Sequence, residues 1–232
     1  MPKPKGRAGR NIRLLAFSRR YKAVYAFVSA GFIAYIPFAL AKLTEGFRSL
    51  FAETNPELTE SPAMPMVVYV GAIALAIFLV IKGVRLWKGA NRADQGARGE
   101  EDVANELRGL AASGWQIEYG QRLGKGVGDI DIICVSPGGK TYAIDVKSHR
   151  CGVVTDGKKL YRRMGKQQQP FEKDFLSQVT KQALQVKRKR GVKFVTPIVV
   201  FSNARVAISS NKVKHVYVID KARLAGLLQS LG

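Results

Sequence analysis

The stretch GVGDIDIICVSPGGKTYAIDVK, from Gly126 to Lys147, decides the fold of the polar part of this chain. Two runs rich in β-forming residues flank a Ser-Pro-Gly-Gly turn, and this pattern predicts a β-hairpin. Side chains two positions apart in a strand share a face, so Asp145 and Lys147 point the same way. Asp131, near the start of the preceding strand, comes onto that face across the strand pair. Two carboxylates beside a lysine suit a hard divalent cation and an attacking water molecule.

Hydrophobic patterns around this hairpin predict the remaining elements of an α/β domain. In chain order we expect a helix Arg98–Ala112, strands Trp115–Tyr119, Asp129–Val135 and Thr141–Lys147, an irregular basic stretch, a helix Phe171–Lys189, strands Pro197–Phe201 and Val216–Ile219, and a helix Ala222–Leu231. The run from Ile198 to Phe201 is continuously apolar, as is typical of a strand covered on both faces.

The composition indicates an anionic partner. Lys and Arg number 38 against 17 Asp and Glu, which gives a formal net charge of +21. Such an excess favours binding to nucleic acid or to acidic lipid. The two cysteines, Cys134 and Cys151, make neither a disulfide framework nor a zinc site, so a reducing compartment is the natural interpretation.

Two long uncharged runs near the N-terminus predict membrane helices. One extends from Ala23 to Ala41 and the other from Ser61 to Ile81, each close to the roughly 20 residues that a helix needs to cross a bilayer. We place the spans at about 23–43 and 64–84. A cleaved signal peptide or two buried core helices are the alternatives. A signal peptide has a shorter apolar region, whereas residues 37–40 prolong this one.

The flanking charges predict the orientation of the two spans. Eight Lys and Arg residues precede the first span and five follow the second, whereas the connecting segment is acidic. By the positive-inside rule, both termini lie in the cytoplasm and the protein is a two-span protein of the inner or cytoplasmic membrane. The predicted parts are a basic N-terminus 1–22, a transmembrane hairpin 23–88, a linker 89–95 and a folded domain 96–232.

The order of elements and the D…DxK pattern resemble the core of the PD-(D/E)xK nucleases and, among them, the nuclease-related domain, NERD. The resemblance covers roughly Gly96 to Phe201. The residues that carry it are Gly96-Ala97-Arg98-Gly99-Glu100, Ile130-Asp131, Ile144-Asp145-Val146-Lys147, the segment Ser148 to Val154, and Pro170 with Gln178. The resemblance implies a restriction-endonuclease-like αβββαβ core with a central mixed sheet. One departure is that Asp145 stands where the family usually has Glu.

A metal-dependent nuclease site is what the resemblance implies for these residues. Asp131 and Asp145 would bind Mg²⁺, with Mn²⁺ as a substitute, and Glu100 would supply a further ligand. Lys147 would orient the attacking water and stabilise charge on the scissile phosphate, and Gln178 would help to fix the water or a phosphate oxygen.

Several of these residues also have non-catalytic interpretations. Asp145 and Lys147 can be an ordinary surface pair. Glu100 competes with Glu101 and Asp102, since acidic residues are common near the start of a helix. Asp129 lies on the same strand face as Asp131 and is its rival as the first metal ligand.

A basic stretch follows the predicted strand Thr141–Lys147, which contains Asp145 and Lys147. Its members, which interleave with Leu160, Tyr161 and Met164, are Lys158, Lys159, Arg162, Arg163 and Lys166. We expect them to hold the nucleic-acid backbone without reading its sequence. A solvated face, or contact with acidic lipid, is the alternative. The same alternatives apply to Lys187-Arg188-Lys189-Arg190.

The sequence therefore predicts a membrane-anchored, Mg²⁺-dependent nuclease that acts on DNA at the cytoplasmic face. The alternative from another class is an inactive nuclease-fold module that binds nucleic acid or serves as a membrane-tethered scaffold or sensor, with a homo-oligomer as a further option. The coexistence of Glu100, Asp131, Asp145 and Lys147 favours the enzyme. The pattern does not distinguish DNA from RNA or endonuclease from exonuclease action.

Overall fold

The computed structural model describes residues 6–51, 65–124 and 128–232 of the 232-residue chain. Outside these residues lie Gly126, at the start of the stretch Gly126–Lys147, and most of the predicted acidic loop. The chain divides into two compact units. One is Leu14–Arg92. The other, called the sheet unit below, joins Ala93–Gly232 to the N-terminal residues up to Arg13.

Two helices form the described residues of the Leu14–Arg92 unit, and both are longer than the predicted spans. Helix α1 is Arg10–Phe51 and helix α2 is Met66–Glu106. Each is long and apolar enough to cross a membrane by length and composition. Large apolar side chains such as Phe32 and Phe78 are exposed on their surfaces. This exposure is unusual for helices in water, where large apolar patches mark interaction sites.

Small residues line the contact between these two helices. The buried positions of α1 include Ala23, Ala26 and Ala30, and those of α2 include Ala76 and Gly83. Their spacing by three, four or seven residues is that of a coiled-coil seam. At Gly83 a Cβ atom would lie 2.6 Å from the Phe27 ring, so only glycine permits this approach. The ring contact between Phe38 and Tyr69, together with that of Phe27 at Gly83, makes the pair antiparallel.

The segment 89–95, predicted to be a linker, is helical in the structure. Helix α2 continues through it to Glu106, and the short helix α3, Arg108–Ala112, follows. The predicted helix Arg98–Ala112 is therefore the end of α2 plus α3. No proline interrupts α2, and its glycines cost only about 1 kcal/mol each relative to alanine. One of them, Gly99, fits closely against Ser148 and Ser202, because a Cβ there would lie 2.7 Å from the Ser202 hydroxyl.

The sheet unit is built on a six-stranded mixed sheet with strand order β1-β2-β3-β7-β10-β9. The strands are β1 Gln116–Arg122, β2 Asp129–Val135, β3 Thr141–Lys147, β7 Val195–Phe201, β9 Lys212–Val213 and β10 Val216–Asp220. The pairs β3–β7 and β7–β10 are parallel, and the others are antiparallel. Strand β7 lies in the middle and six of its seven residues are buried, as its apolar run predicts. The predicted central mixed sheet is confirmed.

Helices cover both faces of this sheet and make the core. Helix α4, Phe175–Arg190, packs Ala183 and Val186 against Ile133 and Ala143 on one face. On the other face, the end of α2, α3 and the C-terminal helix α5, Lys221–Leu231, bury Val103, Leu110 and Leu228 with Ile144. Helix α4 begins where the Asp174 carboxylate accepts the Ser177 N–H, and it ends at Gly191 in the left-handed conformation.

A second, four-stranded sheet replaces the irregular stretch that we predicted after β3. Its strands are β4 Gly152–Thr155, β5 Leu160–Met164, β6 Gln167–Pro170 and β8 Arg205–Val206, in the order β6-β5-β4-β8. The tight turn between β4 and β5 forms because the Asp156 carboxylate accepts the N–H groups of Lys158 and Lys159 and Gly157 has a positive φ. The exposed residues of β6 lack the alternating apolar pattern on which strand prediction depends.

Candidate active site

The site lies where β2 and β3 separate. Their pairing ends with Ile132 opposite Ile144, and one step further places Asp131 opposite Asp145. There the N–H of Val146 donates to Asp131 Oδ2 at 2.7 Å. Strand β3 continues alongside β7, with Asp145 opposite Val199. The carboxylate of Asp131 thus satisfies a backbone donor at the point where the strand pair opens.

Asp145 is buried and contacts two other predicted site residues. Its side chain is 2% exposed, and Lys147 Nζ lies 2.6 Å from its Oδ2. Gln178, on the first turn of α4, donates to its Oδ1 at 3.1 Å. Lys147 Nζ also lies 5.0 Å from the centre of the Phe175 ring, a cation–π distance. The lysine is therefore held between a carboxylate and an aromatic ring.

Glu100 is brought to the site by the last turns of α2 and is held by the N-terminus. It is buried, and the N–H of Gly9 donates to its Oε2 at 3.0 Å. We call residues 6–13 the N-terminal strap. Gly6 and Gly9 both have positive φ, and a Cβ atom at either would come within 3 Å of a backbone oxygen, of Tyr119 or Ala97. Arg13 closes the strap with a 2.6 Å ion pair to Glu101.

Gly9→Ala should destabilise the sheet unit by about 1–3 kcal/mol, because alanine is strained at positive φ and its methyl group would meet Ala97 O. The measurement is the midpoint of thermal unfolding of the full chain in detergent, followed by near-UV circular dichroism. Gly109→Ala is the matched control, since that helical position has open space around it and should be neutral or slightly stabilising. Equal midpoints for the two variants would contradict the role of the strap.

The pKa values of all three carboxylates are raised. Burial is the first cause at Glu100, Asp131 and Asp145, and the pKa of Asp131 lies well above its ordinary value. The charge of Asp145 raises the pKa of both Asp131 and Glu100, and Glu100 also raises that of Asp131. The charge of Lys147 acts in the opposite direction on all three. One lysine does not balance three anions, so the site has an excess of negative charge when all three ionise.

The carboxylate oxygens of Glu100, Asp131 and Asp145 are chemically suitable ligands for a hard divalent cation. Carboxylate oxygens are the ligands that Mg²⁺ prefers, and a cation would relieve the mutual repulsion of the three groups. As placed, however, no three His, Cys, Asp or Glu side chains in the described parts of the chain are grouped closely enough to hold a metal ion. Lys147 and the Gly9 N–H occupy carboxylate oxygens that a cation would take.

The rivals of Glu100 and Asp131 lie elsewhere. Glu101 pairs with Arg13, and Asp102 accepts from Lys221 Nζ at 2.8 Å. Asp129 lies at the exposed start of β2. The structure thus brings together Glu100, Asp131, Asp145, Lys147 and Gln178, each predicted from the sequence, and engages two of the three rivals in other ion pairs.

Gln182 is a neighbour of the site that sequence reasoning missed. It is 1% exposed, and its Nε2 donates to the backbone oxygen of Asp129 at 2.8 Å. Its side chain also acts as a hydrogen-bond donor that lowers the pKa of Asp145. It follows Gln178 by one helical turn, and this spacing of four is the signal that would have identified it.

The predicted basic residues do not share one face. In the β4–β5 register, Arg162 lies opposite Val153, whose side chain is in the core, whereas Arg163 lies opposite Gly152. Arg162 thus points towards the site, where burial, Lys147 and Arg162 lower the pKa of His149. Lys158 and Lys159 lie in the turn before β5, and Lys166 lies in the turn after it. At the end of α4, Arg190 pairs with Glu118 at 2.6 Å and Lys189 donates to Arg122 O, which ties the helix to β1.

A comparison with protein families matches part of this chain. Residues 95–202 match the family model described as the nuclease-related domain, NERD. The range agrees with the resemblance drawn from the sequence, which is thereby confirmed. Neither the curated proteins nor the solved structures include a significant match.

Proposed function

We propose that this chain, whose residues 95–202 belong to the nuclease-related domain family, is a membrane-anchored, metal-dependent nuclease that hydrolyses phosphodiester bonds of DNA. The observation that carries the proposal is the cluster of Glu100, Asp131 and Asp145 with Lys147 where β2 and β3 separate. Raised carboxyl pKa values beside a lysine are typical of functional sites rather than of surface ion pairs.

In this mechanism the protein positions the reacting groups. Asp131 and Asp145, helped by Glu100, would hold Mg²⁺, with Mn²⁺ as a substitute. When bound, the ion would lower the pKa of a water molecule and offset charge on the phosphate. Lys147 is the one cation among the named site residues, and its ammonium would donate to the attacking water or to a phosphate oxygen. Gln178 keeps Asp145 in place through the hydrogen bond to Oδ1.

The direct test is digestion of nucleic acid by the purified full chain in detergent. Supercoiled plasmid, linear duplex DNA and single-stranded RNA are incubated with Mg²⁺, Mn²⁺ or EDTA. We expect cleavage of DNA with either ion and none with EDTA. Nicking of plasmid separates endonuclease from exonuclease action. Cleavage that persists in EDTA would rule out the metal-dependent mechanism.

A second candidate is a module that binds nucleic acid without cutting it. One observation favours it: Lys147 and the Gly9 N–H occupy carboxylate oxygens, and no metal-ready group of three is present among the described residues. This candidate is supported if the protein binds DNA but does not cleave it with either Mg²⁺ or Mn²⁺, even when the protein is in excess over DNA.

Membrane anchoring rests on the two apolar helices, and we infer the orientation from the charges that flank them. Cysteine introduced at Thr54 should react with a membrane-impermeant reagent in intact cells, whereas cysteine at Ser230 should not. Both variants are made in a background without Cys134 and Cys151. Thr54 lies outside the described residues. Labelling at Ser230 alone would invert the proposed topology.

We propose that the basic residues in and around strand β5 hold the DNA backbone. Replacing Lys158, Lys159, Arg162 and Arg163 with Gln should weaken DNA binding and flatten its salt dependence by about 0.9 in log–log slope per lost phosphate contact. Turnover at saturating DNA should change less. The single variants sharpen the test, because Arg162 points towards the site and Arg163 points away: R162Q should lower affinity more than R163Q. An unchanged slope in the quadruple variant would remove this surface from the DNA-binding site.

A further inference from the structure

A basic cleft lies in the Leu14–Arg92 unit. Its volume is about 460 Å³, and it is lined by Arg19, Lys82, Arg85, Leu86, Gly89 and Arg92. Five of these six residues belong to α2 and one to α1. Nothing in the proposed nuclease mechanism uses this cleft.

The cleft is formed by the spacing of its residues along α2. Lys82, Arg85, Gly89 and Arg92 follow one another by three, four and three residues, so they share one face of the helix. Gly89 leaves a gap in that row because it has no side chain. Across the gap lies Arg19, whose Nη1 donates to the Gly89 carbonyl oxygen at 3.1 Å. A guanidinium from α1 thus forms part of the wall of the cleft.

Four cations and no acidic residue line this cleft. Within the described parts of the chain, no ion pair to a carboxylate joins Lys82, Arg85 or Arg92. Like charges at such spacing repel one another, at a cost of a few tenths of a kcal/mol per pair. A bound anion would remove that repulsion, and guanidinium groups have the donor geometry that phosphate accepts.

The position of the cleft along α2 indicates which anion it meets. Lys82 is the first charged residue after the uncharged run that ends at Ile81. Trp87, 42% exposed, lies within the same stretch, and the Arg20 guanidinium stands 5.9 Å from its ring centre. Tryptophan and cations following an apolar span are typical of the level of lipid headgroups.

We propose that this cleft binds the phosphate group of an anionic phospholipid, with Arg19, Arg85 and Arg92 as its principal donors. Nucleic acid also offers phosphates, but a cleft that begins at the end of the apolar run lies at the depth of the headgroups. The proposal rests on the membrane anchoring proposed above and is independent of the nuclease activity, since none of its residues belongs to the carboxylate cluster.

The test measures lipid binding by the full chain in mixed micelles, through quenching of Trp87 fluorescence by lipids with brominated acyl chains. The other tryptophan, Trp115, is buried and is replaced by Phe. Brominated phosphatidylglycerol and phosphatidylcholine are compared. The variant R85Q/R92Q should lower the apparent affinity for phosphatidylglycerol about 25-fold, from about fivefold per cation, and leave phosphatidylcholine unchanged.

The matched control is K88Q/R98Q, which removes the same charge from exposed positions of α2 that do not line the cleft. We expect it to weaken phosphatidylglycerol binding several-fold less than R85Q/R92Q does. Equal losses in the two double variants would show diffuse surface attraction and overturn the proposal.

Two further arms identify the source of the phosphate. Inorganic phosphate and a duplex oligonucleotide are titrated against the same two double variants. If R85Q/R92Q reduces the affinity for either of them while phosphatidylglycerol binding is unchanged, the proposal is wrong. Retained DNA affinity together with lost lipid affinity supports it.

Discussion

Asp145→Asn is expected to reduce metal-dependent DNA cleavage to the background level, and Lys147→Gln to reduce it by about 10²–10³-fold. The first would remove a charged oxygen ligand of the proposed metal ion, and the second would remove the ammonium group proposed to face the attacking water and the phosphate. Asparagine keeps the acceptor for the Gln178 amide and has the shape of the buried aspartate, so the fold should survive. The measurement is the rate of plasmid nicking, with unfolding followed in parallel.

The two variants differ in their expected effect on stability. Comparing their unfolding therefore shows whether a loss of cleavage comes from the altered site or from unfolding of the protein. Lys147→Gln leaves the buried Asp145 carboxylate without its ion pair, and breaking such a pair costs about 3–5 kcal/mol. The double variant D145N/K147Q removes both charges and should recover most of that stability without recovering activity. Asp129→Asn is the control at the rival position. Asp131→Asn is its matched partner, and full loss of cleavage in D129N with full activity in D131N would exchange the roles of Asp129 and Asp131.

Metal binding should stabilise the sheet unit, and more strongly as pH rises. Glu100, Asp131 and Asp145 have raised pKa values, so the folded chain holds more protons than the unfolded chain above about pH 4. Their contribution to the free energy of unfolding therefore falls as pH rises through the raised values. A divalent ion that binds the ionised carboxylates at a hundred times its Kd adds about 2.7 kcal/mol.

The check is a series of thermal unfolding midpoints from pH 5 to pH 8.5, with EDTA or with Mn²⁺. The gap between the two curves should widen with pH. In D131N/D145N the metal-free midpoint should vary less over this range, because fewer carboxyls titrate, and Mn²⁺ should have no effect. A pH-independent gap, or a gap that survives in the double variant, would place the metal elsewhere.

The central sheet was predictable because its signal is local. Strands β2 and β3 have the predicted bounds, 129–135 and 141–147, since apolar runs on both sides of a tight turn leave little choice. The predicted strand at 197–201 extends back to Val195, and the predicted helix at 171–189 begins later, at Phe175, where Asp174 caps it.

The elements that were missed depend on distant partners. Strand β6 is a polar edge strand that forms by pairing with β5, and β8 is a two-residue strand that pairs with β4. Helix α2 continues through 89–95 although the composition there is polar and contains glycine. Hydrophobic periodicity does not report such pairing or continuity.

The pairing of Asp145 with Lys147 was predictable for the same reason as the central sheet, because the spacing of two residues within one strand places both side chains on one face. The strap that holds Glu100 was not, since the Gly9 N–H and the Glu100 carboxylate are 91 positions apart. No local pattern in a basic N-terminus indicates that one of its amides meets a buried glutamate.

The strap also restricts how many times the chain can cross a membrane between Arg13 and Ala93. Residues on both sides of the Leu14–Arg92 segment belong to one polar folded unit, and a polar unit does not straddle a bilayer. Any membrane arrangement must therefore return the chain to the side from which it started, so the number of crossings between Arg13 and Ala93 is even. This parity is independent of the positive-inside rule. It also opposes the signal-peptide alternative, because cleavage after the first apolar run would detach Gly9 from Glu100.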